Sequence, residues 1–180
     1  MPENAPAASA SQKSSFLPLA PLVYIARRCI HKRFQATPSL AATGKRANIR
    51  FTATARTWLR SLVERHVVEL FRRATRITGI MTPRAKTLKL PAVQVAMEEY
   101  YDIKLQPQDK VRVVSHRVCK LLAADHDLGR VSEAVSHAVD TYVYKVIDRY
   151  MHFAAVLLQM EERKTVTSAV LLRADKCMRE

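Results

Sequence analysis

Glycine is nearly missing from this chain of 180 residues, with three in all. That leaves little room for the tight turns of an all-β protein. Cysteine is equally sparse. Cys29, Cys119 and Cys177 lie far apart and are odd in number, so neither a disulfide framework nor a Cys-x-x-Cys metal site is written here. A reducing compartment fits that usage. No stretch approaches the roughly eighteen apolar residues that a membrane-spanning helix needs, and no membrane association is expected. Residues 1–15 are rich in Ala and Ser with one lysine. They lack the charged-then-apolar order of a secretory signal and are expected to form a disordered tail. Acidic residues are in deficit, 16 against 30 Lys and Arg, for a formal charge of +14. The excess is uneven: residues 1–105 carry 18 basic and 6 acidic side chains, residues 106–180 carry 12 and 10. Such a field draws polyanions to the surface. A generally basic helical protein or an RNA-binding protein has the same composition.

What is present is helical periodicity, twice. Leu59, Leu62, Val63, His66, Val67, Leu70, Phe71, Ala74 and Ile77 recur at three- and four-residue steps. The same rhythm runs through Val135, Ala138, Val139, Tyr142, Val143, Val146, Ile147, Tyr150, Ala154, Leu157 and Leu158. Each set forms one apolar stripe on a helix of roughly 27 residues, about 40 Å long. A lone helix of that length cannot bury its stripe and needs partners. Shorter candidates flank both: Pro21 to Phe34 and Pro91 to Tyr101 around the first, His116 to Ala123 and Thr167 to about Cys177 around the second. Ser115 and Thr167 are the expected N-caps. Residues 103–114 read as a linker, and Gln35 to Asn48, with Pro38 and Gly44, as a long first loop. The expected class is all-α, with the order short, long, short doubled over residues 16–102 and 115–180.

That doubled order resembles the histone fold, and short motifs agree. The second half resembles histone four: Gly129-Arg130-Val131-Ser132 is similar to the basic first loop of that family. Arg163-Lys164-Thr165-Val166-Thr167 matches its second loop. Ser115 to Thr167 overlays the family sequence without a gap. The first half resembles histone three through Leu17-Pro18 with Leu22-Val23, Ile49-Arg50-Phe51, Val68-Glu69-Leu70-Phe71 and Val93-Gln94-Val95-Ala96. The resemblance covers roughly residues 17–100 and 115–176. It implies a histone doublet, two tandem histone folds pairing as an intramolecular pseudo-dimer, similar to the doublets of large DNA viruses. The chain departs from the family in its tails: the lysine-rich tail and extra helix of histone three are missing. The basic tail of histone four is replaced by the linker, and its aromatic, glycine-rich C-terminus has no counterpart before Glu180. The first long helix is about a turn longer than the family's. Arg72-Arg73 replaces acidic residues where two copies normally meet.

The resemblance implies an architectural DNA-packaging protein that assembles nucleosome-like particles without reading bases. Its partners would be double-stranded DNA, further copies of itself, and a histone two-A/two-B-like pair or doublet. Its place would be chromatin, or the host nucleus, viral factory and virion if the source is viral. In the family the first loop of each fold lies beside the second loop of its partner. Arg50 and Arg130 would then enter minor grooves, with Phe51 and Ser132 adjoining. A guanidinium suits a narrow groove because it stays charged and sheds water readily. Lys86, Thr87, Arg163, Lys164 and Thr165 would hold phosphates from the second loops. Lys45 and Arg46 are either a solvated pair or extra phosphate contacts. The arginines of the first long helix partly form its polar face, and Tyr142 and Tyr150 fall in the core. No enzyme activity, metal or cofactor is expected: the six histidines are scattered, His116 and His126 match no metal-site spacing, and no phosphate-binding glycine loop occurs. Two alternatives stay open: a histone-fold pair acting as a protein-interaction module in a transcription or chromatin complex, and a two-B/two-A type doublet.

Overall fold

The computed structural model describes residues 15–35, 48–103 and 112–178. The long first loop, apart from its ends, and most of the linker therefore fall outside the described residues. So do Lys45, Arg46 and the N-terminal tail. Among the described residues, six helices and four two-residue strands follow in the order α1 (Leu19–Gln35), β1 (Arg50–Phe51), α2 (Ala53–Met81), β2 (Thr87–Leu88), α3 (Leu90–Tyr101), α4 (His116–Ala124), β3 (Arg130–Val131), α5 (Glu133–Met160), β4 (Thr165–Val166) and α6 (Ser168–Cys177). Helix, strand, long helix, strand, helix thus occurs once before residue 103 and once after residue 115.

Local chemistry sets the boundaries. Thr52 caps α2 by accepting from Ala55 N at 3.1 Å. Ser115 and Thr167 cap α4 and α6 from Val118 N and Val170 N, both at 3.3 Å. A side-chain oxygen there satisfies a first-turn N–H that has no intrahelical partner. α1 begins at Leu19, two residues ahead of Pro21. The proline is accommodated because it sits in the first turn, where its missing N–H costs nothing. At the far end of α3, Asp102 adopts φ 49° and its N–H bonds to the Glu98 carbonyl, closing the helix in a left-handed cap that aspartate tolerates.

The long helices measure 29 and 28 residues. Their stripes are buried as the periodicity predicts, with Tyr142 and Tyr150 at 0% and 1% exposure, except that His66 is half-buried. One continuous apolar cluster draws from both halves, and much of the helix packing crosses between them: α1 lies along α5, α6 against α2, and α3 against α5, while α3 also packs on α2 and α6 on α5 within their own halves. Two carboxylates pin the approaches to the short helices. Glu64 accepts from Phe16 N and Leu17 N at 2.8 and 2.9 Å ahead of α1. Asp140 accepts from Val113 N and Val114 N at 2.9 and 2.8 Å ahead of α4. Burial pushes the Asp140 carboxyl up, and these two N–H bonds offset part of that rise.

Candidate nucleic-acid interface

The four short strands pair across the halves, in parallel. β1 lies beside β4 with Arg50 opposite Thr165 and Phe51 opposite Val166. Arg50 N donates to the Lys164 carbonyl at 2.9 Å and Thr52 N to the Val166 carbonyl at 3.1 Å. β2 lies beside β3 with Thr87 opposite Arg130 and Leu88 opposite Val131. Arg130 N donates to the Lys86 carbonyl and Ser132 N to the Leu88 carbonyl, each at 3.1 Å. Strand side chains alternate between faces. The alternation turns Arg50 and Arg130 outward and exposed, and sends Phe51 and Val131 into the core at 6% and 8% exposure.

This arrangement sorts the residues expected to contact DNA. One end gathers Arg50, Arg163, Lys164 and Thr165; the other gathers Lys86, Thr87, Arg130 and Ser132. Lys86, Arg163 and Lys164 are exposed, and Thr87 and Thr165 half-buried. Phe51 is a correction. Grouped with the contact residues from its place beside Arg50, it faces the other way, and its ring anchors the strand pair to the core rather than meeting a ligand. Ser132 occupies the N-cap of α5 but makes no side-chain cap bond, and its Oγ is buried without a partner.

Some cations near these ends escaped the reading of the sequence. Arg84 and Lys89 are exposed on either side of Lys86 and Thr87, and their spacing around the loop was the available signal. Arg173 is brought in from α6 by Glu161, which also pairs with Arg163 at 3.3 Å. No spacing rule could have joined those three. Elsewhere the arginines of α2 are partly spent on the protein itself. Glu69 receives Arg72 Nε and Nη2 at 2.8 Å and Arg73 Nε at 2.6 Å. These bonds, Arg72's first, hold its carboxyl down at about 2. The Arg73 guanidinium also stacks over the Tyr100 ring at 4.2 Å.

Each end therefore presents exposed cations, outward threonines and the start of a long helix. The first-turn N–H groups of α2 and α5 add donors and a partial positive charge. Such a surface offers positive charge and hydrogen-bond donors suited to phosphates. The solved structure of the histone from Methanopyrus kandleri superposes on this chain with a TM-score of 0.63 at 15% identity, covering 88% of this chain and 93% of that one. The chain has a histone fold. No protein-family model matches it, and no curated protein does. At this identity the likeness carries the fold alone. Among the described residues, no group of three or more His, Cys, Asp or Glu is placed to hold a metal ion, and no helix is long and apolar enough to cross a membrane.

Proposed function

We propose that this chain is an architectural DNA-packaging protein, a histone doublet whose two histone folds pair within one molecule. The observation that carries the reading is the crossed strand pairing, which sets Arg50 beside Lys164 and Arg130 beside Lys86. Two cationic ends on a rigid helical body are what bending a duplex over a surface requires. Arg50 and Arg130 insert into minor grooves, and Lys86, Lys164 and the neighbouring threonines hold the flanking phosphates. Arg163 adds to the first end. The +14 charge supplies the long-range attraction. Sequence preference then comes only from how easily the DNA bends.

On this reading the protein assembles with further copies of itself, or with a two-A/two-B-like pair or doublet, into nucleosome-like particles. It acts in chromatin, or in the nucleus, viral factory and virion if it is of viral origin, and it is not an enzyme. Nuclease digestion of protein–DNA complexes tests the proposal. A wrapping protein protects a defined length of DNA irrespective of sequence, and its affinity falls steeply with salt as counterions are released. A footprint restricted to one sequence, or a shallow salt dependence without any protected length, would point to a protein-interaction module instead.

A further inference from the structure

Where the two long helices cross, a polar cluster interrupts the apolar core. His66 Nε2, on α2, lies 3.2 Å from the Tyr150 hydroxyl on α5. Tyr150 in turn donates to the buried Asp175 Oδ1 of α6 at 2.5 Å. With its proton committed to Asp175, the Tyr150 oxygen accepts from an Nε2–H, which leaves His66 Nδ1 as an acceptor facing the Tyr142 hydroxyl at 3.5 Å. Tyr101 of α3 closes the far side, its ring edge-on to Tyr142 at 4.9 Å. A second polar contact crosses nearby: Arg33 of α1 pairs with Asp148 of α5 at 2.8 Å.

The two halves are related position by position. α2 starts at Ala53 and α5 at Glu133, 80 positions on, and Arg50 and Arg130 keep the same offset. Under that offset the counterpart of His66 is Val146, those of Tyr142 and Tyr150 are Leu62 and Leu70, and that of Asp148 is Val68. A pair of two first halves would therefore set His66 against Leu62 and Leu70 of the other copy, and Arg33 against Val68. A pair of two second halves would set the fully buried Tyr142 and Tyr150 against Val146, so that the Tyr142 hydroxyl loses the imidazole and keeps the backbone carbonyl that it also approaches at 3.5 Å. The Tyr150–Asp175 bond lies inside the second half and survives either way. The side-chain contacts His66–Tyr150, His66–Tyr142 and Arg33–Asp148 belong to the mixed pair.

We infer that His66, with Tyr142 and Tyr150, is the pairing-specificity lock of this protein, and that it commits the first half to the second half and excludes like-with-like pairing. This rests on the intramolecular pairing proposed above. The partner it selects is chemically defined: a long helix offering two phenols one on each side of the histidine, backed by a carboxylate on the next helix. A separate histone fold with aliphatic side chains at those places would take both phenols away from the half-buried His66. Losing one such bond shifts a pairing equilibrium by roughly 2- to 12-fold.

Disulfide trapping on the full chain separates the outcomes. Cys177, the exposed thiol among the described residues, is first changed to Ser. In a like-with-like pair of first halves, position 50 of one copy would lie opposite position 87 of the other. A chain carrying Arg50→Cys and Thr87→Cys should therefore give little covalent dimer under mild oxidation. Adding His66→Leu should raise that dimer at least about twofold, while His66→Gln, which keeps an amide donor for Tyr150, should stay at the parent level. A chain carrying Arg50→Cys and Thr165→Cys reports the intramolecular pairing separately, because it should close an intrachain bridge. If that bridge fails to form, the pairing reading itself is wrong. If it forms and His66→Leu, with helicity retained, gives no more dimer than its parent, the lock is refuted. Should His66→Leu lose its helicity, the pair Tyr142→Phe and Tyr150→Phe, which keeps both rings and removes both phenols, decides: a rise in covalent dimer supports the lock and an unchanged level overturns it.

Discussion

A carboxylate placed at Val146 should unfold both halves together. Val146 is 4% exposed on α5, inside the one apolar cluster that both halves build. Replacing it with aspartate forfeits burial of the valine side chain, about 1.5–3 kcal/mol. It also forces a charge into a site without a partner, which costs several kcal/mol more even after relaxation. A total of about 5 kcal/mol is a large part of the 5–15 kcal/mol that holds a typical domain together. For a chain of this size that corresponds to a melting temperature lower by roughly 10–20 °C. The assay uses two probes. Circular dichroism follows all helices, and the fluorescence of Trp58, the single tryptophan, follows the first half from its edge-to-face contact with Tyr150 at 6.5 Å. Both transitions should move down by the same amount and coincide. If Trp58 keeps the wild-type midpoint while part of the helicity melts early, the halves fold independently and the shared-core argument fails.

Three further outcomes follow from individual side chains. Arg50→Ala and Arg130→Ala should each open nuclease sensitivity locally while leaving the melting temperature unchanged, because both side chains point outward; Arg76→Ala, on the exposed face of α2, is the control, and equal protection in all three would sink the groove assignment. Glu69 has its pKa lowered from 4.5 to about 2 by Arg72 and Arg73. A depressed folded-state pKa gives stability that is present above the unfolded value and lost as pH falls through the folded one. Glu69→Gln should therefore weaken the protein slightly at neutral pH and flatten its acid loss between pH 4.5 and 2, the pair being too exposed for a large effect. Burial pushes the Cys29 and Cys119 thiols up to about 12 and about 11, so a thiol reagent should modify Cys177 alone in the native protein, with the other two reacting only in denaturant.

Much of the scaffold was legible because it obeys local rules. Three- and four-residue spacing located both long helices, and hydroxyls just before apolar runs located the caps at Ser115 and Thr167. The outward arginines were legible only through the loop motifs, since a two-residue strand has no periodicity of its own. The inward turn of Phe51 was missed for that reason: its neighbour's role was extended to it, although strand alternation sends adjacent side chains to opposite faces. Long-range polar pairing was wholly illegible. His66 fell correctly on the apolar stripe, but nothing in its spacing tells that two phenols 76 and 84 positions away complete it. Glu64 and Asp140 carry no signal in the sequence, because their bonds to backbone N–H groups ahead of α1 and α4 form only in three dimensions.

The ends of the molecule are not equivalent, and Glu161 is the reason. It holds both Arg163 and Arg173, whose side chains remain 64% and 56% exposed, beside the strand pair that carries Arg50. At the other end the matching place after α2 is Thr82, with no carboxylate. Two opposite consequences of the clamp can be weighed. It orders two flexible guanidiniums, which lowers the entropy lost on meeting a phosphate. It also puts a negative charge next to the proposed DNA path and must share its arginines with the incoming phosphates. Exposed ion pairs contribute at most about 1 kcal/mol, so the ordering gain is small. Each cation released to a phosphate adds about 0.9 to the magnitude of the log–log salt slope. Glu161→Gln should therefore tighten DNA binding at low salt and steepen the slope by about one, with little change in melting temperature. An unchanged slope with weaker binding would show that Glu161 acts by ordering the two arginines, and would reverse the assignment of this residue from brake to support.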